Sequence, residues 1–160
     1  MASNAFLKVD GVSGESQDSG HKGWIDVSGF DLGATQPGNM HVGNGGGAGK
    51  VHYDDLVIYT NVDRATPTLF QYAASGKHIS KVELAIHKAG GENIEYLRLT
   101  LEDVLVTEAR YEGDLRQSII PVIYKFQAAK VLHKYWEQTD KGGKGAEVSA
   151  GWNIKENQGC

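Results

Sequence analysis

Lys81-Val82-Glu83-Leu84-Ala85-Ile86-His87 and Leu97-Arg98-Leu99-Thr100-Leu101-Glu102 place an apolar residue at every second position. A period of two puts one face of a strand on a core and the other in solvent. After Leu101 the stripe changes parity, and Val104 and Val106 carry it on. Such a change predicts a β-bulge or a passage from one sheet to another. Ile120, Val122, Tyr124 and Phe126 form a third stripe, and Val131, His133 and Tyr135 continue it on the opposite parity. That long strand is therefore expected to bend as well.

Working outward, Phe6–Val9, Trp24–Leu32, Val51–Thr60 and Ser149–Ile154 are shorter strand candidates. Together they predict an all-β chain of about eight or nine strands. Thr66-Pro67-Thr68-Leu69-Phe70-Gln71-Tyr72-Ala73-Ala74-Ser75-Gly76 departs from this pattern. Thr66 suits an N-cap, Pro67 the first helical position and Gly76 the stop. One short helix packed on a sandwich or barrel is the expectation.

Glycine is abundant, 21 of 160 residues, whereas proline is scarce at 3. This excludes a collagen-like repeat and a Pro/Gly-rich disordered chain. Seven of the glycines lie between Gly33 and Lys50. That stretch is expected to be a strandless loop, and a loop so long in a compact domain is usually functional. Asp140–Glu147, with Gly142, Gly143 and Gly145, is expected to be a second loop.

Charge narrows the function classes. Sixteen Lys and Arg against 20 Asp and Glu give a net −4, which argues against a nucleic-acid binder. The longest apolar run, Leu56-Val57-Ile58-Tyr59, is too short to span a bilayer as a helix. The N-terminal residues lack a basic stretch followed by an apolar one, so no signal peptide is expected. Cys160 is the single cysteine and leaves no internal disulfide; its thiol is a candidate inter-chain crosslink.

Catalytic motifs fail on their own terms. A P-loop ending at Gly49-Lys50 needs glycine where Asn44 stands and a hydroxyl where Val51 stands, followed by a helix rather than a strand. The six histidines, His21, His41, His52, His78, His87 and His133, show no zinc-ligand spacing. They are expected at the surface or along strands, with His41 and His52 flanking the long loop. No serine sits in a nucleophile elbow. Asp54 and Asp55 are adjacent at a strand start and so point to opposite faces. No catalytic residue, metal site or cofactor is expected, and the chain is expected not to be an enzyme.

The order of features along the chain carries a resemblance. Phe6-Leu7-Lys8-Val9-Asp10-Gly11-Val12-Ser13-Gly14-Glu15-Ser16 is followed by His21, Trp24-Ile25-Asp26-Val27 and Met40-His41-Val42. The glycine run to Gly49-Lys50-Val51, Asp63-Arg64-Ala65-Thr66-Pro67 and Gly76-Lys77-His78 come next, and Gly151-Trp152-Asn153-Ile154-Lys155-Glu156-Asn157 closes the series. The chain resembles the Hcp family, the tube protein of the bacterial type VI secretion system, from Phe6 to about Asn157.

The resemblance implies a single domain over residues 1–160: a two-sheet β-barrel with one helix, assembling as a hexameric ring. It implies a structural subunit whose rings stack into a tube that is driven by a contractile sheath, tipped by a VgrG-type spike and loaded with effector proteins in its lumen. It also implies synthesis in the bacterial cytoplasm and export through that apparatus. The Gly33–Lys50 loop would project and pack the next ring, with Met40, His41 and Val42 as contacts, Lys50 at its end, and Gly43, Gly45, Gly46, Gly47 and Gly49 giving its backbone freedom. A bulge near Ser28-Gly29 would turn Asp31 from the core, either into the lumen or simply into solvent. The competing readings are a monomeric small β-barrel that closes its Gly-rich loop over a ligand, and an enzyme with that loop as lid.

Overall fold

The structure, a computed structural model, describes residues 4–38, 40–41, 50–88 and 94–160. In chain order the elements are β1 (Ala5–Val9), β2 (Ile25–Val27), β3 (Gly29–Asp31), β4 (Ala34–Thr35), β5 (His52–Tyr53), β6 (Leu56–Asn61), α1 (Thr66–Ser75), β7 (Ile79–His87), β8 (Glu95–Tyr111), β9 (Pro121–Gln138), β10 (Lys144–Asn153) and β11 (Gln158–Gly159). The strands pair in the order β11-β10-β9-β8-β7-β1-β2, with β6 also on β9 and β3 on β6.

The long β8–β9 hairpin belongs to two layers. The first part of β8 pairs with β7 as far as Val104, and the first part of β9 pairs with β6 from Pro121 to Phe126. The parity change lies between them. Leu99 and Leu101 are buried before Asp103, Val104 and Val106 after it, and Asp103 has a left-handed φ of 52°. The ladder does not slip there, because Glu102 faces Lys130 and Val104 faces Ala128. Both strands switch their buried side together, so the hairpin passes from one layer to the other. The register shift comes later, between Val106 and Glu108.

The same change occurs at Ser28. The expected Trp24–Leu32 strand is two strands: β2 pairs with β1, and β3 with β6. Ser28 donates its N–H to Tyr59 O at 2.9 Å, and Thr60 Oγ1 donates to Asp26 O at 2.6 Å. These bonds join the layers and close the barrel. Leu7, Ile25, Leu56, Ile58, Leu84, Leu101, Tyr124 and Phe126 fill it, each at most 1% exposed. Full burial of one such side chain contributes about 1.5–3 kcal/mol.

The helix spans the expected residues, with a different start. Ala65 is the N-cap and Thr66 is already helical. Asp63 does the capping: its Oδ1 accepts the Ala65 N–H at 2.9 Å. Thr66 Oγ1 accepts the Asp63 N–H at 3.0 Å and also meets the Tyr124 hydroxyl at 2.8 Å. Gly76 ends the helix at φ 68° and donates its N–H to Tyr72 O, a left-handed position that glycine takes without penalty.

Three boundaries differ from expectation. Gly33–Lys50 is not strandless, since Ala34–Thr35 pairs with His52–Tyr53. The expected Val51–Thr60 strand is divided by Asp54-Asp55 into β5 and β6. The Asp140–Glu147 loop is shorter, because β10 begins at Lys144.

Candidate assembly surfaces

Asp31 lies where the change at Ser28 puts it. Phe30 pairs with Ile58, which is buried, and Asp31 pairs with Val57. Paired residues share a side, so Phe30 faces inward and Asp31 outward. Asp31 is exposed. Phe30 remains 39% exposed at the edge of the layer.

The β9–β10 hairpin presents a second surface. Leu97 pairs with Tyr135, and Tyr135 with Val148. These residues continue the inward face of Leu99, Leu101 and Val131, all buried. Yet Tyr135 is 43% exposed and Val148 63%. The core-facing side of the sheet therefore extends beyond the barrel without a cover. On its reverse side the Lys144 ammonium sits 3.6 Å from the Trp136 ring centroid, and Trp136 Nε1 donates to Glu147 Oε1 at 3.1 Å. Trp136 is thus an outer-face residue.

Where the hairpin meets the barrel, a groove of about 390 Å³ is lined by Gln36, Val51, Tyr53, His133, Ala150 and Trp152. Tyr53 Oη and His133 Nε2 are 2.6 Å apart. Burial lowers the His133 pKa below the ordinary histidine value and raises that of Tyr53 above the ordinary phenol value. The Trp152 indole N–H is buried without a hydrogen-bond partner among the described residues.

Gln36 lies within the glycine-rich stretch and Val51 directly follows it. Met40, His41 and Lys50 are exposed, Met40 at 77%. Val42, Gly43, Gly45, Gly46, Gly47 and Gly49 lie outside the described residues. Cys160 is exposed. It packs over Gly151, where an added Cβ would stand 2.9 Å from its Sγ.

No spacing along the chain announces a buried imidazole pair. His21 and His87 are 7% and 8% exposed, and their Nε2 atoms are 3.4 Å apart. Phe6 stacks on His21 at 4.5 Å, and the Asp18 carboxylate takes His21 Nδ1 at 2.7 Å. That bond to His21 holds the Asp18 pKa below the usual carboxylate value. The expectation that His21 lies at the surface or along a strand is corrected, since it is buried outside every strand: the Asp18–Trp24 segment folds back over β1 and β7, a long-range closure that local pattern does not encode. Among the described residues no three His, Cys, Asp or Glu side chains group as a metal site would need. No helix among them is long and apolar enough to cross a membrane.

Known proteins share this arrangement. Residues 6–133 match the family described as Type VI secretion system effector, Hcp. The protein hcp1 of Pseudomonas aeruginosa is 42% identical over 159 residues, covering 98% of each chain. Hcp1 from Salmonella typhimurium superposes with a TM-score of 0.83 at 33% identity over the whole of both chains. Another type six secretion system protein superposes at 0.92 with 27% identity, over 99% of this chain and 100% of its own. With its family match over residues 6–133 and its two-layer barrel, the chain belongs to the Hcp family and is a structural tube subunit of type VI secretion.

Proposed function

We propose that copies of this chain close into hexameric rings around an open lumen and that the rings stack into the tube. The observation that carries this reading is the uncovered inward face of β9 and β10, with Tyr135 43% and Val148 63% exposed. An apolar face that continues a core needs a cover, and in a ring of identical subunits a neighbour supplies it through a heterologous contact that closes. A monomeric ligand-binding barrel would leave this surface in water.

Within that tube, Asp31 faces the lumen, where effector proteins travel. Met40, His41, Val42, Gly43, Gly45, Gly46, Gly47, Gly49 and Lys50 form the arm that packs the next ring. Cys160 stands where a crosslink between chains can form. The chain acts without catalysis, as one domain, beside a VgrG-type spike and a contractile sheath. It is made in the cytoplasm and leaves through the secretion apparatus.

Negative-stain imaging of the purified chain and of a variant lacking Asn44–Ala48 tests the arm. Single rings that persist with weakened stacking are expected. Loss of the rings would show that the arm builds the hexamer instead.

A further inference from the structure

The loop at the far end of the β8–β9 hairpin displays a leucine. Leu115 is 95% exposed. The turn around it is nonetheless built. Asp114 Oδ1 accepts the Arg116 N–H at 3.1 Å and Nε at 3.0 Å, and Oδ2 accepts Nη2 at 2.8 Å. Gln117 donates its N–H to Asp114 O at 2.9 Å, and Glu112 donates to Pro121 O at 2.9 Å at the base of the loop. A leucine held out on an ordered turn loses little conformational entropy on docking.

A socket of matching chemistry lies elsewhere on the barrel, at the bend in the same hairpin. A cavity of about 440 Å³ reaches the core there. Leu32, Leu56, Leu101, Phe126 and Ile154 line it, and of these Leu56, Leu101 and Phe126 belong to the buried core. Asp54, Asp103 and Lys155 are also among the residues that line it. Asp103 is the residue whose left-handed φ marks the change of layer. Leu115 is flanked by one carboxylate and one guanidinium, and the socket offers two carboxylates and one ammonium. Asp114 and Arg116 are bonded to each other beside the leucine, and each has an opposite charge in the socket to set its orientation on docking.

One copy cannot fill its own socket. β9 runs from Pro121 beside the turn to Ala128 beside the cavity, about 23 Å at about 3.3 Å per residue. We infer that Leu115 of one copy enters the cavity between Leu32, Leu56 and Ile154 of a second copy, with Arg116 toward Asp54 and Asp103 and Asp114 toward Lys155. Because knob and socket are different surfaces, the contact is head-to-tail. This inference rests on the self-assembly proposed above and names one contact within it.

Sedimentation velocity of the purified chain and of Leu115→Asp tests it. Leu115 touches water on nearly every side, so the variant is expected to fold and melt as the parent does. At least a tenfold weaker self-association is expected, with Leu115→Met close to the parent. Leu115→Cys combined with Asp103→Cys, in a Cys160→Ser background, is expected to form disulfide-linked chains on mild oxidation. A parent that assembles, a Leu115→Asp variant that assembles equally well and no linked chains would overturn the socket contact alone. A parent that stays a single chain would overturn this contact and the ring reading together.

Discussion

The hydroxyls of Thr66 and Tyr124 meet at 2.8 Å inside the barrel, joining the first turn of α1 to the start of β9. Tyr124 is buried, and burial pushes its pKa up to about 12. Tyr124→Phe removes one partner of a buried pair and is expected to cost about 1–2 kcal/mol in urea unfolding, with the far-ultraviolet spectrum unchanged.

The same pair sets an alkaline limit. A phenol titrates near pH 10 in the unfolded chain and at about 12 here. The folded state therefore holds the proton longer, and the stability this contributes is complete below pH 10 and lost as pH rises toward 12. Melting temperature measured from pH 9 to 12 should fall more steeply in the parent than in Tyr124→Phe. Equal slopes would show that Tyr124 does not carry the loss.

At the acid side the relevant contact is Tyr53 with His133, which ties β5 to β9 at 2.6 Å. Burial lowers the His133 pKa, so the folded state resists protonation. Its contribution is present above the unfolded value near 6.5 and is lost as pH falls through the lower folded value. His133→Asn should flatten the drop in stability between pH 7 and pH 5, read by thermal melts.

Gly14 has no room for a side chain: an added Cβ would stand 2.5 Å from Trp24 O. Gly14 also donates its N–H to Gly23 O at 2.7 Å. Gly14→Ala must push the backbone around Gly14 away from Trp24 and Ile25, at a cost of about 1–3 kcal/mol. Denaturant midpoints would record it, and an unchanged midpoint would contradict the packing described.

Val148 is 63% exposed on the inward side of β10. Val148→Lys should leave the melting of the single chain intact and weaken assembly, read by light scattering across a dilution series. Undiminished assembly would place the subunit contact elsewhere.

How much was legible in the sequence depends on where each strand finds its second face. β7, β8 and the first part of β9 each press one side on the core, so alternation revealed them, and the parity changes located Ser28 and Asp103. β10 presses on little: Gly145 apart, residues 144–150 are exposed. Its sequence therefore alternates weakly, and only Ser149 onward was recognisable. β4 and β11, two residues each, are strands by pairing with a distant partner and carry no local pattern. The outward turn of Asp31 followed from parity. The His21–His87 pair, the groove beside Trp152 and the Leu115 turn depend on long-range closure, which spacing does not report.

This chain is built to assemble with copies of itself. Size-exclusion chromatography with multi-angle light scattering at micromolar concentration reads that assembly. A species of six chains is expected, with larger stacked species as concentration rises. A mass of one chain at every concentration would contradict it.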